Sequence, residues 1–156
     1  MWKPKRLYSQ NFEDLYLWRI FNEKSSGFYI DVGAQHHEQD SITKIFYDQG
    51  WSGINIEPVP ELFKDIKKNR VNDVNLPVAV SNGSFITNFN VYGGSGLGTL
   101  KETYEANIQE EYLSEKKIIQ VQTVTLNEIF NTYCNSEVDF LKIDVEGSEK
   151  DVLEGI

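Results

Sequence analysis

The 156-residue chain contains one cysteine, one methionine and four prolines. The lone Cys134 has no partner for an intramolecular disulfide, and paired-cysteine zinc motifs are excluded outright. Long apolar runs are also missing: nothing approaches the ~18 consecutive apolar residues that a membrane-spanning helix needs. The amino-terminal MWKPKRLYSQNFED carries positive charge, but no apolar segment follows it, so no secretory signal is expected. Basic residues are in deficit, with 15 Lys and Arg against 24 Asp and Glu and a formal charge of −9. That balance argues against a surface that neutralises nucleic-acid phosphates or lies on an anionic membrane. A small anionic ligand stays open, because backbone amides and helix ends bind one locally. At 40% apolar and 25% charged residues the composition is that of a globular protein. The length suits a single domain over 1–156 with one core. A reduced, soluble, cytoplasmic protein is expected.

The order of hydrophobic patterns implies a doubly wound α/β fold. Phe12, Leu15, Tyr16 and Ile20 have helical spacing, which predicts an amphipathic amino-terminal helix. FYIDVG reads as a strand, and Asp40 or Ser41 is placed to cap a helix through ITKIFYDQ that Gly50 stops. GINIEP is the next strand, PELFKDIKKNR a helix with Leu62, Phe63 and Ile66 on one side, and LPVAVS a third strand. Strand and helix in alternation imply parallel strands with right-handed crossovers. The middle departs from this. FITNFNVY and IIQVQTVT read as an antiparallel pair, GGSGLG as a loop, and LKETYEANIQEEYLSEKK as a polar stretch of helical composition. Thr125 and Glu128 have capping-box spacing. VDFLKIDVEG is a further strand, after which Ser148 caps a helix carrying Val152 and Leu153.

In open parallel sheets, ligands bind beyond the carboxyl ends of the strands where the strand order reverses. Asp31 and Gly33 end the first strand, and Gly33 allows close approach of the backbone. Glu57 ends the second strand, at the interval where a nucleotide-binding acid accepts both hydroxyl hydrogens of a ribose diol. A dinucleotide site wants G-x-G-x-x-G, but Ala34, Gln35, His36, His37 and Glu38 follow Gly33. A pyrophosphate would meet bulk and negative charge there. A cofactor with ribose and adenine but no phosphate fits better, namely S-adenosylmethionine. Gly93 and Gly98 have phosphate-loop spacing, but Thr99 and Leu100 stand where Lys and Ser or Thr are required, so that reading fails.

Strand alternation places Lys142, Asp144 and Glu146 on one side and Leu141, Ile143 and Val145 on the other. Such a charged trio is either a structural ion-pair set or part of a site. His36 or His37 could act as a base near neutral pH. The histidines could also join the carboxylates around a metal, but no spacing motif supports one and none is expected. Trp51, Tyr92 and Tyr104 could line an acceptor site or belong to the core.

YSQNFEDLYL, FYIDVGAQHHEQDSITKIFYDQGWSGINIEPVP, LPVAVS and VDFLKIDVEGSEKDVLEG together resemble the FkbM family of S-adenosylmethionine-dependent methyltransferases, in order from about Tyr8 to Gly155. The resemblance implies a Rossmann-like class I methyltransferase fold, a three-layer sandwich on a mostly parallel sheet. It also implies methyl transfer to a hydroxyl oxygen of a small molecule, sugar or polyketide-type acceptor. On this resemblance Asp31 and Gly33 match the cofactor loop, and Glu57 the ribose acid. Gln10, Glu13 and Asp14 match an SQ-x-x-ED signature, and Asp40, Ser41 and Thr43 a D-S-x-T stretch. Ala34, Pro58 and Val80 join Gln10, Asp31, Gly33, Asp40, Ser41 and Glu57 as the expected cofactor-binding residues. Asp144 is the first candidate for the base, His37 the second and Glu146 the third.

The family sheet has about three strands beyond the last one visible here, so the carboxy-terminal strands are expected to be missing and the last strand to expose an edge. A longer gene product, or a homo-oligomer covering that edge, is the expected remedy. Two competing readings are a catalytically silent or truncated cofactor-binding domain and, with less support, a nicotinamide-dependent oxidoreductase.

Overall fold

A computed structural model describes residues 1–93, 97–101, 115–135 and 137–156. Its element order is α1 (Glu13–Phe21), β1 (Phe28–Val32), α2 (Lys44–Asp48), β2 (Ser52–Ile56), α3 (Pro60–Asn69), β3 (Val74–Leu76) and β4 (Ala79–Val80), then β5 (Ile86–Tyr92), β6 (Gly98–Thr99), β7 (Lys116–Val124), α4 (Leu126–Tyr133), β8 (Phe140–Ile143) and α5 (Glu149–Glu154).

Two four-stranded sheets form, in orders β3-β2-β1-β8 and β4-β7-β5-β6. The first is parallel throughout. Its order reverses between β1 and β8, the switch point of an open, doubly wound parallel sheet. Among the described residues β8 pairs with β1 alone and forms one edge.

Alternation along β1 decides the layers. Ile30 and Val32 point into one cluster with Ile54, Ile56, Leu126, Ile129 and Val152, against α4 and α5. Tyr29 points the other way, into an aromatic cluster with Trp51 and with Phe46 of α2 that α1 covers with Leu17, Trp18 and Phe21. Helices therefore lie on both faces, and each fully buried branched or aromatic side chain contributes about 1.5–3 kcal/mol.

The face carrying Tyr29 also holds a polar row. Lys142, Asp31, Asn55 and Asn75 are register neighbours across the four parallel strands. Buried Arg70, which closes α3, donates to the His37 carbonyl at 2.8 Å, Ser41 Oγ at 2.8 Å and Tyr29 Oη at 3.2 Å. Its neighbour Asp73 accepts from Tyr29 Oη at 2.7 Å, Gly53 N and Asn55 Nδ2. The loop between β1 and α2 is thus bolted to the sheet by hydrogen bonds, as buried polar groups require.

Several local expectations change. The LPVAVS run divides at Pro77: β3 begins earlier, at Val74, and Ala79–Val80 moves to the second sheet. Proline, with no N–H to donate, ends the first ladder there. Helix α2 starts at Lys44, and neither Asp40 nor Ser41 caps it; Ser41 bonds Arg70, and Thr43 donates to Asp31 Oδ2 at 2.9 Å. Ser148 occupies the N-cap position of α5 without a capping hydrogen bond. The spacing of Phe12, Tyr16 and Ile20 marks the outward face of α1, since all three are exposed. Asp14 turns inward instead, holding Tyr8 N at 2.6 Å and Ser9 Oγ at 2.7 Å, while Trp18 and Phe21 supply the apolar bulk.

Gly98, read as loop, enters strand β6 beside β5, where a side chain would collide with Phe89. The antiparallel β5–β7 pair and the Thr125–Glu128 capping box form as expected. Most of the polar stretch after Lys101, with Tyr104, lies outside the described residues, as do residues 94–96 of the glycine cluster.

Candidate functional site

A cavity opens beyond the carboxyl ends of β1, β2 and β8. Gln10, Asp31, Gly33, Ala34, Asp40, Ser41, Glu57, Pro58 and Val80 all line it, as do Asp144 and Glu146. The topology accounts for this convergence: parallel strands place their carboxyl-terminal residues at the same edge, and the order reversal at β1 and β8 parts the loops above it.

Glycine is required at position 33. Its φ is +76°, and a side-chain carbon there would lie 2.0 Å from the Asp144 carbonyl oxygen. The turns ending β1 and β8 are that close. Gln35, Asp40 and Glu146 also hold positive φ without being glycine, and all three line the cavity. Strained backbone concentrated at one place is a mark of a functional site.

Glu57 is buried, and both its oxygens accept backbone N–H bonds, from Gln35 at 2.9 Å and Val59 at 2.8 Å. Burial pushes its carboxyl up to about 7; the amides and Lys142 pull against this, and Asp31 adds to it. Asp31 is buried too, with Oδ1 held 3.1 Å from Lys142 Nζ. Lys142 also donates to the Gly33 carbonyl and stands 3.9 Å from Asp144 Oδ2. Asp144 itself is 64% exposed, at the cavity mouth.

Alternation of the charged trio holds through Asp144. Strand β8 ends at Ile143, and Glu146 reaches the cavity through a left-handed turn whose carbonyl accepts from Thr99 Oγ1 at 2.8 Å. Leu141, Ile143 and Val145 pack into the core as alternation requires.

His37 is not in this cavity. It lines a shallower neighbouring hollow with Arg6, Tyr8, His36, Glu38, Gln39 and Asp40, so that Asp40 borders both. His37 Nδ1 pairs with Asp65 on α3, whose other oxygen accepts from Asn69 Nδ2 at 3.1 Å. One ligand atom each from His36, His37 and Asp65 falls within 4.8 Å of the others, a spacing that could hold a metal ion. The tautomer opposes it. His36 Nδ1 accepts the backbone N–H groups of Glu38 and Gln39, which assigns the ring proton to Nε2, the atom facing Asp65 at 3.6 Å. That nitrogen presents a hydrogen and no lone pair.

Trp51 and Tyr92 are core residues and line neither hollow. Sequence patterns missed Ser148 Oγ, buried on the cavity wall without a hydrogen-bond partner among the described residues. They also missed the apolar side formed by Val59, Val78, Phe89, Leu97 and Leu100, partly from the second sheet. The only advance signal for Phe89 was the β5–β7 pairing, which does not say that the pair folds back over the first sheet.

The arrangement offers carboxylates for hydroxyl groups, an apolar wall for a flat ring, and a charged rim. No helix among the described residues is long and apolar enough to cross a membrane. No curated protein and no solved structure matches the chain. A family model described as the methyltransferase FkbM domain matches residues 31–155, from the acid of β1 to the end of α5, and the chain therefore belongs to the FkbM methyltransferase family.

Proposed function

We propose that this protein transfers the methyl group of S-adenosylmethionine to a hydroxyl oxygen of a small-molecule, sugar or polyketide-type acceptor. The observation that carries the donor assignment is Glu57, a buried carboxylate at the end of β2 on the wall of a cavity at the switch point. Each of its oxygens has lone-pair capacity beyond the one backbone N–H it accepts, so it can also receive ribose hydroxyls. Ser148 Oγ, buried and without a hydrogen-bond partner among the described residues, is a further place for the donor's polar groups. The apolar wall around Val59, Val80 and Phe89 fits an adenine ring.

A dinucleotide fits less well. The amides that would cradle its pyrophosphate are already engaged: Gly33 N and Ala34 N bond the Ile56 carbonyl at 3.0 and 3.1 Å, and Gln35 N bonds Glu57. This favours the methyl-donor reading over a nicotinamide oxidoreductase.

When bound, S-adenosylmethionine supplies an electrophilic methyl carbon on a positively charged sulfur. The protein's part is placement. Holding an acceptor oxygen in line with that carbon is worth up to ~7–11 kcal/mol. Asp144, ionisable and exposed at the mouth, is positioned to take the hydroxyl proton as the oxygen–methyl bond forms, with Glu146 next in line; a base adds ~10²–10⁴-fold. The formal charge of −9 supports an acceptor other than nucleic acid and a place away from anionic membranes.

The test is calorimetry of S-adenosylmethionine and its demethylated product on the wild type and on Glu57→Ala, with NAD as control. Binding of the adenosyl pair that is lost in Glu57→Ala supports the reading; unchanged affinity in that variant sinks the ribose assignment. Donor binding with no transfer to any hydroxylated acceptor would make the protein a silent binding domain.

A further inference from the structure

Among the described residues Lys142 is the one cation on the donor cavity wall, facing the carboxylates of Glu13, Asp31, Asp40, Glu57, Asp144 and Glu146. Its side chain is 14% exposed and crosses from β8 to β1 at the order reversal. The ammonium sits 3.1 Å from Asp31 Oδ1, donates to the Gly33 carbonyl, lies 3.5 Å from that of Val32, and comes within 3.9 Å of Asp144 Oδ2.

Without that ammonium, no cation among the described residues would line the cavity beside its two buried carboxylates; the Arg70 guanidinium reaches Asp31 only through Thr43 Oγ1. Burial already disfavours the charged form, so one of the carboxylates would take up a proton. Glu57 is the one nearest to doing so. Facing it are Asp31 from β1, Lys142 from β8 and the amides of Gln35 and Val59; Glu13, Asp40, Asp144 and Glu146 share the cavity from the surrounding loops and α1. A protonated Glu57 gives up part of its acceptor capacity and no longer suits both hydroxyl hydrogens of a diol.

We propose that Lys142 is a positioning residue for methyl transfer, its ammonium keeping Asp31 and Glu57 as paired acceptors for the donor's ribose while it fastens the Gly33 turn to β8. The inference rests on the donor assignment above. Lys142 acts through these groups and takes no part in bond making. A residue that merely supported the fold would, when removed, weaken donor binding equally at every pH. A residue that sets the charge of Glu57 leaves a loss that alkali repairs.

The experiment is calorimetry of S-adenosylmethionine on the full chain between pH 6 and pH 9, for wild type, Lys142→Met and Lys142→Arg. At pH 7 the methionine variant should bind about fivefold more weakly, the fall in ionised Glu57 that a rise of about one unit in its midpoint from about 7 gives. At pH 9 it should return to within about twofold of wild type, since Glu57 is then ionised in both. Arginine should preserve binding at pH 7. An equal loss at both pH values, or none at pH 7, overturns the proposal. Should Lys142→Met not fold, Lys142→Gln, which keeps a polar group near the Gly33 carbonyl but no charge, should show the same loss at pH 7 and recovery at pH 9; an equal loss at both pH values overturns the proposal there too. A wild type that binds no donor at any pH overturns the donor assignment itself, an outcome distinct from a pH-independent loss.

Discussion

A side-chain carbon at Gly33 would stand 2.0 Å from the carbonyl oxygen of Asp144. The turns that end β1 and β8 are therefore in close backbone contact. Gly33→Ala has to shift one of them as well as accept a φ of +76°, a strain of about 1–3 kcal/mol. The expected outcome is a lower thermal midpoint and a loss of S-adenosylmethionine binding larger than that midpoint shift explains, read by melting curves and calorimetry on the same sample.

Asp144 and His37, both candidate bases in the sequence, are separated by the fold. Asp144→Ala should lower kcat by about 10²–10⁴-fold and leave donor Kd within about twofold, because its carboxylate is at the mouth. His37→Gln should leave donor Kd within about twofold as well, since His37 faces the neighbouring hollow and Asp65. A large loss of donor affinity in His37→Gln would show that the hollow and the cavity work as one.

Arg70 is a buried cation with several obligations. Arg70→Met leaves Asp73 without its nearby charge, 3.9 Å away, and strips donors from Ser41 and the His37 carbonyl. Urea unfolding should show a loss of about 3–5 kcal/mol. Lysine should rescue little of it, because a single ammonium cannot reproduce the guanidinium fork.

Glu57 links stability to pH. Its folded carboxyl titrates near 7 against an ordinary 4.5, so the native state holds the proton more tightly than the unfolded chain. The resulting stability is fully present below about pH 4.5 and is lost as pH rises through about 7, a change of about 3 kcal/mol. Glu57→Gln should flatten the stability slope between pH 5 and pH 8, whatever its effect on the baseline. Donor binding runs the opposite way, since the diol wants the ionised form, so added S-adenosylmethionine should offset the loss of stability above pH 7.

Much of this site was legible in the chain itself. Asp31, Gly33, Glu57 and Asp144 could be picked out because each ends a strand, and parallel topology brings strand ends together whatever the details of packing. The capping box at Thr125 and Glu128 and the β5–β7 pair were equally local, set by spacing a few residues long or by alternation along a strand. Hydrophobic periodicity marked α1 as a helix but gave its inward face wrongly. Phe12, Tyr16 and Ile20 fit the period, yet the side that packs is chosen by Trp18 and Phe21 meeting Phe46 and Trp51. In the sequence Arg70 is only the last residue of the PELFKDIKKNR helix. Only the tertiary structure made it a buried bolt, because its partners Tyr29, His37 and Ser41 lie up to 41 residues away. The same holds for His37, which is held by Asp65 and the Arg70 guanidinium beside a different hollow, and for Lys142, which meets Asp31 only because β8 lies beside β1. Local spacing determines which groups stand at the ends of the elements; which charges are buried, and against what, is decided when distant strands and loops come together.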